Sequence, residues 1–176
     1  MKSLVDQLGQ YAVYHRDSRN IASHFVGIPL IVVAVATLMA RPALGVTGTL
    51  SVSPAMLLAA AVAVFYLRLD IRFGILMTLL LVMSVWAGRL LAMRTTGPWL
   101  AWGLGLFFVG WVIQFIGHYF EGSKPAFVDD VIGLAVGPLF IVAELAFFLG
   151  LRDPVRRAIE ERAGPLRGGA GKRAVR

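Results

Sequence analysis

The chain of 176 residues has three histidines, His15, His24 and His118, and no cysteine. Thiolate metal sites, disulfides and cysteine nucleophiles are therefore excluded, and metal chemistry, if present, falls to imidazole and oxygen donors. Each of two histidines has polar neighbours at helical spacing. Asn20 stands four residues before His24, Gln114 four before His118, and Glu121 three after His118, so each set shares a helix face. Imidazole suits Fe, Zn, Cu and Ni, and amides or carboxylates beside such rings orient them. His15 and His24 are nine residues apart. On one straight helix that separation puts them on opposite faces. They share a ligand only if the chain bends between them, and Asp17-Ser18-Arg19-Asn20 supplies turn and N-cap residues there.

The elements that must position these residues belong to a membrane. Hydrophobic residues make up 58% of the chain without its 19 glycines, charged residues only 15%, and mean hydropathy is +0.76. A soluble domain runs roughly 45–50% apolar and about 25% charged. Five apolar runs stand out: 21–40, 55–69, 73–87 continuing to about Met93, 98–117 and 131–151. A spanning helix needs about 20 residues. The first, fourth and fifth runs reach that length outright, while the second and third do so only if their polar ends reach the interface. Before them, Leu4, Leu8, Tyr11 and His15 recur at helical spacing behind a Ser3/Asp6 capping box, which predicts an amphipathic interfacial helix. The expected fold is all-α: an integral membrane bundle of about five hydrophobic helices with an N-terminal amphipathic helix. Connections alternate sides, so the end of a fourth span returns to the face where the first began. All three histidines then gather at one membrane face, where intramembrane histidine tends to mark function.

The chain divides by composition into residues 1–151 and a basic stretch, 152–176, expected to be flexible. That stretch holds eight of the 17 basic residues and the charge behind a net +7. A basic segment beside a span sits at anionic headgroups, so the lipid bilayer is the expected partner and nucleic acid is not. The bias places the tail, and with both ends on one side the histidines, at the cytoplasmic face of a bacterial inner membrane. Five crossings put the ends on opposite sides, which one non-crossing segment would reverse. Asp129-Asp130 reads as the cap of the last helix, and Gly133 and Gly137 as a small-residue contact stripe. Glu144, mid-span, needs a histidine, an arginine or a metal as partner. No Gly-x-Ser-x-Gly elbow and no Gly-x-x-x-x-Gly-Lys phosphate loop occurs.

Two stretches carry a family resemblance. One is Tyr14-His15-Arg16-Asp17-Ser18-Arg19-Asn20 running on through Ser23-His24 to Leu30. The other is Gln114-Phe115-Ile116-Gly117-His118-Tyr119-Phe120-Glu121 running on to Ala126. Together they resemble the membrane family typified by the fungal 2-hydroxy fatty acid dioxygenase of phytosphingosine breakdown. Gly137-Pro138-Leu139-Phe140 followed by Glu144 is similar to that family's last helix. The resemblance covers about residues 3–150. It implies Fe(II) as cofactor, with His15, His24 and His118 as the metal ligands and catalytic centre; Glu121, on the face of His118 by its spacing, is expected as a further carboxylate ligand or base. It implies a long-chain 2-hydroxy fatty acid and O2 as substrates. Shortening that acid by one carbon removes four electrons and one O2 accepts four, so no external reductant is demanded. Arg16, Arg19 and Lys124, with Asn20 and Gln114, are the residues expected to bind the substrate's polar end. Two other readings compete. In one, His24 and His118 ligate a haem axially. In the other, the chain is a non-catalytic metal-binding or structural membrane protein. Oligomeric state and chain-length preference stay open.

Overall fold

A computed structural model describes residues 2–41, 43–47, 50–123 and 131–168. Its elements are α1 (Leu4–Ala12), α2 (Ser18–Leu38), β1 (Leu44–Thr47), β2 (Leu50–Val52), α3 (Pro54–Leu69), α4 (Ile71–Ala92), α5 (Thr96–Glu121), α6 (Gly133–Phe148) and α7 (Asp153–Ala163). The fold is an all-α, membrane-type bundle, with one small antiparallel pair, β1 with β2, in the loop after α2. Five apolar helices, α2 to α6, occupy the five apolar runs. Three of them, α2, α4 and α5, are long and apolar enough to cross a membrane. Between Arg72 and Arg89 the exposed residues of α4 are all apolar, with Leu79, Met83 and Trp86 about three-fifths exposed, as a lipid-facing helix requires.

The lengths differ from the sequence expectation at two places, each for a local reason. The third run becomes a full 22-residue helix because Asp70 caps it, its carboxylate accepting from the Arg72 and Phe73 N–H groups. The fifth run yields only 16 helical residues. Gly150, at φ +72°, and Arg152, at φ 62°, turn the chain after Phe148, and α7 leaves α6 at 116°. The fifth run and the residues after it thus give two helices bent at a short break, where the sequence predicted one span. Asp129 and Asp130, read as the cap of that helix, lie outside the described residues.

The chain forms two compact units, residues 27–112 and residues 1–26 with 113–176. In the first, glycines let helix backbones meet. A Cβ on Gly88 would lie 2.7 Å from the Ala36 carbonyl carbon and the Thr37 nitrogen. Trp99 Nε1 donates to the Thr37 carbonyl at 2.8 Å, and the Arg41 guanidinium lies over the Trp99 ring while bonding the Ala92 carbonyl.

In the second unit the capping box at α1 is present, Ser3 and Asp6 bonding each other's backbone N–H groups. The apolar face of α1 packs on α6 and α7. Leu8 and Ala12 are wholly buried and Leu4 and Tyr11 nearly so, so this face is covered by protein. The basic stretch after Leu151 contributes here as well. Its residues 153–163 form α7, whose Arg162 pairs with Asp6 at 2.6 Å and whose Ile159 is buried. Residues 169–176 lie outside the described residues.

Candidate metal centre

The helix that begins at Leu4 stops at Ala12, and α2 starts at Ser18. The break spans 13–17, slightly earlier than the Asp17–Asn20 turn expected from composition. Asp17 makes the start, its Oδ1 accepting from the Arg19 N–H at 2.9 Å and its carbonyl from the Ile21 N–H. His15 sits inside this break, with its N–H bonded to the Ala12 carbonyl. The bend does what the nine-residue spacing demanded: His15 folds back onto His24.

His118 comes from the last turn of α5, and there the backbones nearly touch. A Cβ on Gly117 would lie 2.0 Å from Ser23 Oγ and 2.6 Å from Asn20 Oδ1. Only glycine admits this approach, and it puts the next residue, His118, against the first turns of α2. The three imidazoles pack edge-on, with ring centroids 4.6, 4.9 and 5.0 Å apart. One ring nitrogen from each falls within a 4.8 Å cluster, and all three residues are buried. The face of His15 is stacked on Tyr11 at 4.1 Å and 2°, and Phe140 of α6 closes against both rings.

The hydrogen bonds fix which nitrogens are free. His15 Nδ1 lies 2.8 Å from the Tyr11 carbonyl, and His24 Nδ1 lies 2.8 Å from the Asn20 carbonyl. A carbonyl only accepts, so each Nδ1 carries the proton and each Nε2 of the neutral ring presents a lone pair. Those two Nε2 atoms face each other at 3.1 Å. Two lone pairs at that distance repel unless a cation lies between or beside them. Burial, and then the neighbouring His24, hold the His15 imidazole well below its usual pKa, which disfavours a proton as that cation. Backbone carbonyls on the distal nitrogens are the usual support of metal-bound histidine. The donor set therefore fits a first-row transition metal.

The surrounding polar residues divide by what they touch. Glu121 is not among the groups that gather at the cluster. Its Oε2 accepts from the Arg16 N–H at 3.0 Å, the Asp17 N–H at 2.7 Å and Asn20 Nδ2 at 3.1 Å, and its Oε1 pairs with Arg167. The carboxylate thus ties the end of α5 to the break that holds His15. Arg16 is buried and its donors are engaged. Nε bonds the Ala12 and His15 carbonyls, Nη1 the Gly164 carbonyl and Nη2 Glu144 at 3.2 Å. Glu144 therefore finds an arginine, the second of the three partners its position allowed. Removing one side of such a buried pair costs about 3–5 kcal/mol, because the other charge is stranded. A cleft of about 190 Å³ opens beside this pair, lined also by Phe147, Arg156, Ile159 and Glu160. Arg19 is half-exposed, paired with Asp17 at 2.8 Å and lying over the Phe120 ring. Asn20 and Gln114 are buried, and Asn20 Oδ1 and Gln114 Oε1 have no hydrogen-bond partner among the described residues. Lys124 lies outside the described residues.

Sequence reasoning did not foresee Phe140 and Tyr11 as the walls around His15, nor Arg167. Tyr11 stands four residues before His15, so the helical periodicity carried a signal for it. Arg167 lies in a Gly- and Pro-rich stretch with no periodicity to mark it.

Comparison with known proteins adds a family to this geometry. Residues 1–149 match the model of the Mpo1-like family, described as 2-hydroxy-palmitic acid dioxygenase Mpo1-like. The chain is similar to the 2-hydroxy-palmitic acid dioxygenase MPO1 of Saccharomyces cerevisiae, with 31% identity over 159 residues, 89% of this chain and 87% of that protein. No solved structure matches the chain significantly. A match across the whole histidine-bearing bundle, together with that identity, makes this chain a member of the Mpo1-like family.

Proposed function

We propose that the protein is an Fe(II)-dependent dioxygenase that shortens long-chain 2-hydroxy fatty acids by one carbon. The reaction balances as R-CH(OH)-COOH + O2 giving R-COOH, CO2 and H2O, four electrons leaving the organic acid and four entering O2. The observation that carries the reading is the pair of Nε2 lone pairs facing each other at 3.1 Å in a buried three-histidine cluster. Family membership supports the substrate class.

In this reading His15, His24 and His118 hold the iron, which when bound supplies redox chemistry with O2 and a Lewis-acidic site for the hydroxy acid. The chain's own residues do the rest. Tyr11 and Phe140 fix the His15 ring and keep water from its face. The Asn20 and Tyr11 carbonyls keep Nδ1 protonated so that Nε2 stays available. Asn20 Oδ1 and Gln114 Oε1, which have no hydrogen-bond partner among the described residues, are the acceptors available to the single 2-hydroxyl proton of the substrate. Arg19, with Lys124, provides the positive field for its carboxylate, while Arg16, committed to Glu144 and the Ala12 and His15 carbonyls, acts as a positioning residue. Glu121 acts through the backbone it holds, as a positioning residue. The acyl chain lies along the apolar helices, and the centre faces the cytoplasmic side of a bacterial inner membrane.

The competing haem reading requires His24 and His118 on opposite sides of one iron. Their ring centroids are 5.0 Å apart and roughly perpendicular, with His15 against both, which leaves no room for a porphyrin between them. Metal analysis and an absorption spectrum of anaerobically purified protein test the proposal. One iron per chain without a Soret band is expected. A Soret band, or a protein that binds no iron when Fe(II) is offered anaerobically, would overturn it.

A further inference from the structure

We infer that the short segment Gly164–Arg167, beyond the region that the family model matches, is a strap that positions the metal centre, with Arg167 as its positioning residue. This rests on the metal reading above. The break at residues 13–17 carries His15 but has little secondary structure to hold it. Three bonds from the strap supply that support. The Arg167 N–H donates to the Arg16 carbonyl at 2.7 Å, and the Ser18 N–H donates to the Arg167 carbonyl at 3.0 Å. Together they form an isolated parallel bridge between Asp17 and Arg167. The Gly164 carbonyl accepts from Arg16 Nη1 at 3.2 Å, and that guanidinium in turn bonds the His15 carbonyl through Nε at 2.9 Å.

The Arg167 side chain completes the arrangement. Its guanidinium pairs with Glu121 Oε1, while Glu121 Oε2 holds the Arg16 and Asp17 N–H groups and Asn20 Nδ2. The Glu121 side chain is 1% exposed, and the Arg167 side chain 61%. A solvent-facing cation thus neutralises a buried carboxylate that lies three residues after His118 and bonds the residues directly after His15. One backbone bridge and one charge therefore connect two of the three candidate ligands. The segment reaches this position because α7 turns back along α1, fixed by Arg162 on Asp6, and ends at Gly164, whose φ of +80° releases the chain towards the break. Residue types alone explain little here: a surface arginine in a Gly- and Pro-rich tail ordinarily does nothing.

The test uses the full-length protein with Co(II) as a spectroscopic probe, measuring affinity against a chelator and the visible ligand-field spectrum. Arg167→Gln and a chain ended after Ala163 are each expected to weaken Co(II) binding about 10–100-fold, the range seen when support around metal ligands is lost, and to change the spectrum. Arg167→Lys keeps the charge and the bridge and should recover most of the affinity. Arg157→Gln removes an equal charge from the exposed face of α7 and should bind as wild type does. Wild-type affinity and spectrum in Arg167→Gln would overturn the strap. Equal weakening in Arg157→Gln would overturn it too, since bulk charge would then be the cause. A wild-type protein that binds no Co(II) would instead overturn the metal reading beneath it.

Discussion

At the residue scale the metal centre depends on tautomers. Each of His15 and His24 has a backbone carbonyl on Nδ1, so both present Nε2 to the same point. An interfacial histidine would instead point a nitrogen outwards and need no such pair. His24→Ala and His118→Ala should each lose most of the bound iron, measured by metal analysis after anaerobic purification. Full iron in both variants would remove these residues from the centre. The spacing made part of this legible in the sequence. Asn20 and His24 share a helix face, as do Gln114 and His118, and the structure keeps both pairs on helical turns. Glu121 was equally visible, but its role was not. Spacing says that it faces the same way as His118, whereas its Oε2 is taken by N–H groups more than 100 residues earlier in the chain and its Oε1 by Arg167.

Elements decide whether those residues meet. The bend was legible because Asp17 and Asn20 are poor helix-interior residues and because two histidines nine apart cannot otherwise converge. Its position shifted, since Asp17 served as the cap and left 13–17 as the break. The break in the last apolar run was harder to read. Apolar composition continues through Val131–Leu151, and only Gly150 and Arg152 in left-handed backbone reveal the turn. The close approach at Gly117 is the element-scale feature most open to test. Gly117→Ala would drive a methyl group into Ser23 and Asn20, whose side chains must move. A loss of about 1–3 kcal/mol is expected for such overpacking, together with weaker iron binding, because Asn20 lies one turn before His24. Thermal unfolding and iron titration of this variant check both parts. Unchanged iron affinity would show that the centre does not depend on this contact.

At the scale of the whole molecule, the proposed substrate pairs an apolar chain with a polar end. The outward faces of α3, α4 and α5 are apolar, as a bilayer requires, and the three histidines lie within one compact unit together with α1, α6 and α7. Under the proposed function the polar end of the amphiphile meets that centre and its chain is held by apolar side chains. Each buried CH2 contributes about 0.8 kcal/mol, so KM should fall steadily as the acyl chain of a 2-hydroxy acid lengthens. Lactate should be turned over poorly even at high concentration. A kcat/KM for lactate equal to that for 2-hydroxy-palmitic acid would contradict a membrane-held chain. A fatty acid without the 2-hydroxyl group lacks the alcohol carbon that the proposed reaction oxidises, and should not react.

The central claim is that three histidines hold an iron that takes one carbon from a 2-hydroxy acid with O2. It is tested most directly by a single-turnover experiment with protein loaded anaerobically with Fe(II) and 2-hydroxy-palmitic acid labelled at the carboxyl carbon, started by adding O2. The account predicts labelled CO2 and an unlabelled acid one carbon shorter, in equal amounts, and none of either from protein loaded with redox-inert Zn(II). Label retained in a product of unchanged length, or equal yields with zinc and with iron, would contradict it.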